Sequence, residues 1–238
     1  MRAESSTRTG SRWATRAEQI SDAFGLVLLL VLATYALLSL IDDRGWDAVL
    51  LAAVTGATSV VALVSSHAKA GAVRAALALS ALGVVLAAVA ALSDAHLWLN
   101  LASLVEICVL AAAMLAVLRR VVTSAEIGFR TILGALSFYA TLGILFTYVY
   151  ATVDRLQSGP FFEGAAQPDS SDFVFFSYTT LTTTGYGNLV PAEQPGQMLA
   201  GLEMMVGQIF LVTLVAGLVS LWRPGEGIRR RRAGHKES

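Results

Sequence analysis

Charge is scarce in this sequence. Only 14% of its 238 residues are Asp, Glu, Lys or Arg, against about 25% in soluble domains, so the chain lacks the water-facing surface of a soluble globule. A single cysteine, Cys108, excludes a disulfide framework; inside an apolar run it reads as a small packing residue. The three histidines, His67, His96 and His235, do not fall at ligand spacing, and no resident metal site or cofactor is expected. No repeat of fixed period is visible. The first apolar run follows a basic segment as a signal peptide would, but no small-residue cleavage site precedes the Asp42-Asp43-Arg44 turn, and it reads as a retained helix.

Hydrophobic residues make up 55% of the chain, and its mean hydropathy is +0.65. They gather in six runs: Ala23–Ile41, Ala48–Ser66, Ala72–Leu92, Leu97–Leu118, Ile132–Val153 and Gln197–Leu221. Each approaches the roughly 20 residues that span about 30 Å of hydrocarbon at about 1.5 Å per residue. Lipid offers the backbone no hydrogen bonds, so the runs are expected to be helices. With the N-terminus inside, only Arg44 and Arg155 of the 17 Lys and Arg residues fall on the outer side. That asymmetry predicts that both termini are cytosolic in a multi-pass protein of the cell membrane. Trp46, Trp98 and Trp222 stand at span ends, as interfacial aromatics do.

The expected organisation is a cytosolic segment 1–22, a four-helix peripheral domain 23–118, a cytosolic linker 119–130, a helix–loop–helix domain 131–222 and a basic tail 223–238. In the last domain, the connection from Asp154 to Gly196 is long. Its first part, Arg155–Ser171, carries Gly, Pro, Asp and Ser and reads as an exposed loop. The stretch Phe173–Thr183 is apolar but too short to cross, with Ser171 or Asp172 as its N-cap. A half-length helix between two spans predicts a re-entrant segment, tolerated at that depth only where protein buries it or water lines it.

That segment leads into Thr182-Thr183-Thr184-Gly185-Tyr186-Gly187-Asn188. The two glycines permit backbone conformations closed to other residues, so that successive carbonyls can face one axis, with the Thr183 hydroxyl at the inner end. One chain supplies a quarter of such a ring, so four are needed. The half-helix aims its C-terminal dipole, about half a negative charge, at the space below, which favours a cation there.

The run Thr180-Leu-Thr-Thr-Thr-Gly-Tyr-Gly-Asn resembles the signature of the potassium channel pore family. The resemblance covers about Thr131 to Trp222. It implies a homotetrameric pore that passes K⁺ passively, with no chemical step and hence no enzyme activity. It implies a selectivity filter at Thr183, Thr184, Gly185, Tyr186 and Gly187, with K⁺ held at Thr183, Thr184, Gly185 and Tyr186 by carbonyls that replace its hydration shell. Thr184 stands where the family has Val or Ile, Asn188 where Asp is common, and Thr179 where some members have Glu. Thr179, Thr182, Asn188 and Glu203 are candidate filter supports. Gly207, twenty residues after Gly187, matches a hinge glycine of the family's inner helix, with close helix packing as the alternative.

The fold expected is an all-α membrane protein: six transmembrane helices, a re-entrant pore helix and a filter. Run four contains no arginine before Arg119 and Arg120 at its end, so strong voltage gating is not expected; each charge moved supplies only about 2.3 kcal/mol per 100 mV. Glu106, mid-run, is expected to bond a Ser, Thr or Tyr, or to act as a proton-sensing or lipid-facing site. Arg229, Arg230, Arg231 and Arg232 suit anionic lipid headgroups; no nucleic-acid partner is expected. The alternatives are a transporter, which would repeat the loop and keep a single filter glycine, a non-conducting accessory subunit and a non-selective cation pore.

Overall fold

The computed structural model describes residues 24–41, 45–93, 96–123, 129–164 and 167–221. Seven helices are found among them: α1 Phe24–Leu40, α2 Trp46–Ser65, α3 Ala70–Ser93, α4 His96–Val122, α5 Phe129–Leu156, α6 Ser170–Leu181 and α7 Gly196–Leu221. Among the described residues there is no strand, only an isolated antiparallel bridge between Phe162 and Pro191.

The helices follow the apolar runs closely. Five of them, α2, α3, α4, α5 and α7, are long and apolar enough to cross a membrane. α1 is apolar but shorter, at 17 described residues, or about 25 Å. α4 continues to Val122, which puts Arg119 and Arg120 in its last turn. The tail arginines Arg229, Arg230, Arg231 and Arg232, together with Trp222, lie outside the described residues.

Helices α2, α3 and α4 pack on one another, α1 bridges α2 to α5, and α4 joins the bundle to α5. Small residues let these helices approach closely. A Cβ on Gly56 of α2 would lie 2.7 Å from the Ser80 Cβ of α3, and one on Gly83 of α3 would lie 2.9 Å from Oε1 of Glu106 on α4. Hydroxyl pairs add to the packing: Thr34 with Thr58 at 3.1 Å and Thr55 with Tyr148 at 3.0 Å. Arg155, near the end of α5, adds a polar junction between the bundle and the helix–loop–helix domain. Its Nε donates to Oδ1 of Asn100 at 2.8 Å and its Nη2 to Oγ of Ser103 at 2.6 Å, both on α4.

The connection after α5 differs from its expected exposed state. Phe161 and Phe162 are fully buried in an aromatic cluster with Tyr150, Phe173 and Phe176, at ring separations of 4.8–6.2 Å. The backbone there is tied across the loop by Glu163 N to Val190 O at 2.9 Å and Ala192 N to Phe161 O at 2.8 Å. The reason is apolar area: burying one aromatic side chain contributes about 1.5–3 kcal/mol, enough to draw the chain in between its Gly and Pro turns.

Candidate functional site

The site is built around α6. At 12 residues it is about 18 Å long, half a bilayer core, and Phe173, Val174, Phe176, Ser177, Thr180 and Leu181 are buried. Its N-cap is Asp169, one residue before the helix and not Ser171 or Asp172. The Asp169 carboxylate accepts from Asp172 N at 3.0 Å and from the Ser171 hydroxyl at 2.6 Å, while Asp169 N donates to Asp172 Oδ2 at 3.1 Å. This reciprocal capping box satisfies two backbone donors the helix cannot.

Four contacts fix the rest of α6. The Tyr178 ring lies where a side chain at position 143 would be: a Cβ on Gly143 would meet it at 2.7 Å. The Tyr178 hydroxyl donates to Ala140 O at 2.6 Å, and its ring meets Tyr35 edge-on at 4.8 Å. At the C-terminal end, the Tyr139 hydroxyl donates to Leu181 O at 3.0 Å, satisfying one of the carbonyls a helix end leaves open.

Glu203 of α7 is fully buried behind α6. Its carboxylate accepts from the Tyr150 hydroxyl at 2.6 Å and from the Ser177 hydroxyl at 2.6 Å. Ser177 has a second acceptor in reach, Gly143 O at 2.8 Å. One side chain from each of α5, α6 and α7 therefore meets in a fully buried, hydrogen-bonded centre. The partner Tyr150 was not singled out from sequence; a tyrosine in a span gives no signal of which way its hydroxyl turns.

Beyond Leu181 the backbone alternates in hand. Positive φ occurs at Thr183 (56°), Gly185 (51°) and Gly187 (78°), every second residue of the segment. For threonine this left-handed conformation is uncommon. The amides of Thr184 and Gly185 both point at Thr179 O, at 2.8 and 3.1 Å, and Thr183 N donates to Thr180 O at 2.9 Å. Converging amides are the usual product of alternating hand. No described residue donates a hydrogen bond to the carbonyls of 183–187, and all five residues are exposed in the single chain.

The candidate supports act differently from one another. Thr179 meets the segment through its carbonyl; its hydroxyl bonds back to Phe176 O at 3.1 Å. Thr182 donates to Tyr178 O at 2.7 Å and pairs with the Thr184 hydroxyl at 2.9 Å. Tyr186 is exposed, with its ring stacked on Phe175 at 5.6 Å. Asn188 is exposed and takes no part in this network. Gly207 lies within unbroken helix, and a Cβ there would be 2.6 Å from Leu181 O. Its missing side chain is what lets α7 touch the end of α6.

Residues 138–223 match the model of a protein family described as "Ion channel". The match takes in most of α5, all of α6, the segment after it and all of α7, and it bears out the sequence resemblance over that helix–loop–helix stretch. Helices α1 to α4 lie outside the matched residues. No curated protein matches the chain.

Proposed function

We propose that four copies of this chain surround one axis and conduct K⁺ passively, with Thr183, Thr184, Gly185, Tyr186 and Gly187 as the selectivity filter. The observation that carries this reading is the backbone of 183–187. Its amides at the inner end are turned back onto α6, and its carbonyls accept nothing from the described residues. A backbone carbonyl must be satisfied by protein, water or ligand. A row of them, held by a short helix whose negative end faces the same space, suits a dehydrated monovalent cation.

In this reading α6 is the pore helix and α7 lines the inner path. The aromatic cluster and the capping box hold the pore helix at fixed depth, and Thr179 O sets the filter's height. Glu203 supports the filter indirectly through Ser177, two residues from Thr179. All six apolar helices α1 to α5 and α7 span the cell membrane, with both termini cytosolic, as the Lys/Arg asymmetry favours. With no arginine in α4 before its last turn, gating by voltage is weak. The tail arginines Arg229 to Arg232 would meet anionic headgroups.

Proteoliposomes loaded with K⁺ test the reading. The purified chain should release K⁺ but retain Na⁺, and Gly185→Ala should abolish that preference. Equal release of both ions by the wild type would overturn it.

A further inference from the structure

Glu106 is the eleventh residue of α4, about 15 Å from the helix start, and only 1% of its surface is exposed. Among the described residues neither of its carboxylate oxygens has a hydrogen-bond partner. It is neither lipid-facing nor bonded to a Ser, Thr or Tyr as the sequence led one to expect. Glu203, equally buried, shows the contrast: it holds two hydroxyl donors at 2.6 Å.

The surroundings of Glu106 are built to admit it. Gly83 of α3 leaves the space its carboxylate enters, since a Cβ there would lie 2.9 Å from Oε1. One turn along α3, the buried Ser80 hydroxyl is also without a partner among the described residues. Ser80 faces Gly56 of α2, and one turn from Gly56 the buried Ser59 hydroxyl is again unpartnered. The seam of α2, α3 and α4 thus carries an acid and two hydroxyls among small residues, where an aliphatic core would leave none.

Among the described residues no cation pairs with this acid. On α5, Arg155 is bonded to Asn100 and to Ser103, which stands one turn from Glu106 on α4, and Asp154 is beside Arg155 in sequence. Tyr148 of α5 is bonded to Thr55. The charged residues of α2 and α3 are Asp47 and Arg74, near their ends. Leaving a carboxylate ionised and unpaired in such a place costs several kcal/mol.

We propose that the seam is a proton-binding site, with Glu106 as the acceptor and Ser59 and Ser80 as hydroxyls that turn to it when the proton leaves. The second half of the proposal rests on the pore reading. Release of the proton draws α2 and α3 onto α4, and Ser103, one turn from Glu106, passes the shift through Arg155 to the outer end of α5.

The test separates the two halves. Infrared difference spectra of the purified full chain, titrated from about pH 5 to about pH 8, start above the ordinary glutamate range near 4.3. They should show a carboxylic-acid carbonyl band that is absent in Glu106→Gln and kept in Glu203→Gln. If Glu106→Gln removes no such band at any pH, the site is overturned. If adding Na⁺ or K⁺ at fixed pH removes the wild-type band, a metal cation takes the place of the proton and the assignment is overturned. For the coupling, proteoliposome K⁺ flux should change with pH at least about threefold more in the wild type than in Glu106→Gln. Equal pH dependence in both would overturn the coupling. A band without any flux would support the site and count against the pore reading alone.

Discussion

At the scale of single residues, glycine is required at two kinds of place. At 185 and 187 the requirement is conformational: a Cβ would meet nothing within 4 Å, yet φ is +51° and +78°. An L-residue in that region costs about 1–2 kcal/mol, so Gly185→Ala should relax toward negative φ and lose ion preference while the fold persists. At 207 the requirement is spatial. Gly207→Ala places a methyl 2.6 Å from a backbone carbonyl, and the overpacking should lower stability by about 1–3 kcal/mol, read as an earlier thermal unfolding in detergent. Unchanged unfolding would remove the packing role and favour a hinge. Glu203 gives a graded prediction. In Glu203→Gln one oxygen still accepts from Tyr150, and Ser177 can donate to Gly143 O, so stability should fall only slightly. Glu203→Ala strands the buried Tyr150 hydroxyl and should cost about 1–3 kcal/mol plus a cavity. The glycines at 185 and 187 were legible in the sequence because few residues can replace them. The left-handed Thr183 and the carbonyl of Thr179 were not, since a backbone contact leaves no mark on residue type.

At the scale of elements, the apolar runs match the membrane-length helices to within four residues at each end, because lipid-length segments of Ala, Leu and Val have few alternatives. The N-cap of α6 was missed by two residues or more: Asp169-Ser-Ser-Asp172 offers four capping side chains in a row, and only the reciprocal bond between Asp169 and Asp172 decides among them. Asp169→Ala should cost about 1 kcal/mol and speed amide exchange at the first turn of α6. The burial of Phe161 and Phe162 was hidden by the turn residues Gly159, Pro160 and Gly164 around them. From sequence, Arg155 opens an exposed outer loop, yet in the structure it latches α5 to α4. Its two charge-assisted bonds contribute about 1.5–3 kcal/mol each. Arg155→Ala should therefore raise hydrogen exchange in α4 around Asn100 and Ser103. Arg155→Lys should recover only part of the protection, because an ammonium lacks the fork. Exchange unaltered in both variants would show that the latch is not needed.

At the scale of the whole molecule, the single chain leaves apolar faces uncovered. Over their most apolar windows only 17% of α3 and of α7 is buried within the chain. For α3, flanked by α2 and α4, lipid suffices. For α7, Met205, Ile209 and Val212 are exposed in the single chain, and in the proposed assembly they face the axis and the neighbouring copies. Native mass measurement should therefore find a species four times the 25.1 kDa chain; a monomer alone would contradict the four-fold pore. The most direct measurement is the reversal potential of the wild-type protein in a planar bilayer with K⁺ on one side and Na⁺ on the other. The expected value lies close to the K⁺ equilibrium potential. A steady current reversing near zero would contradict it, because a filter of carbonyls held by Thr179 and α6 would then not distinguish the two ions.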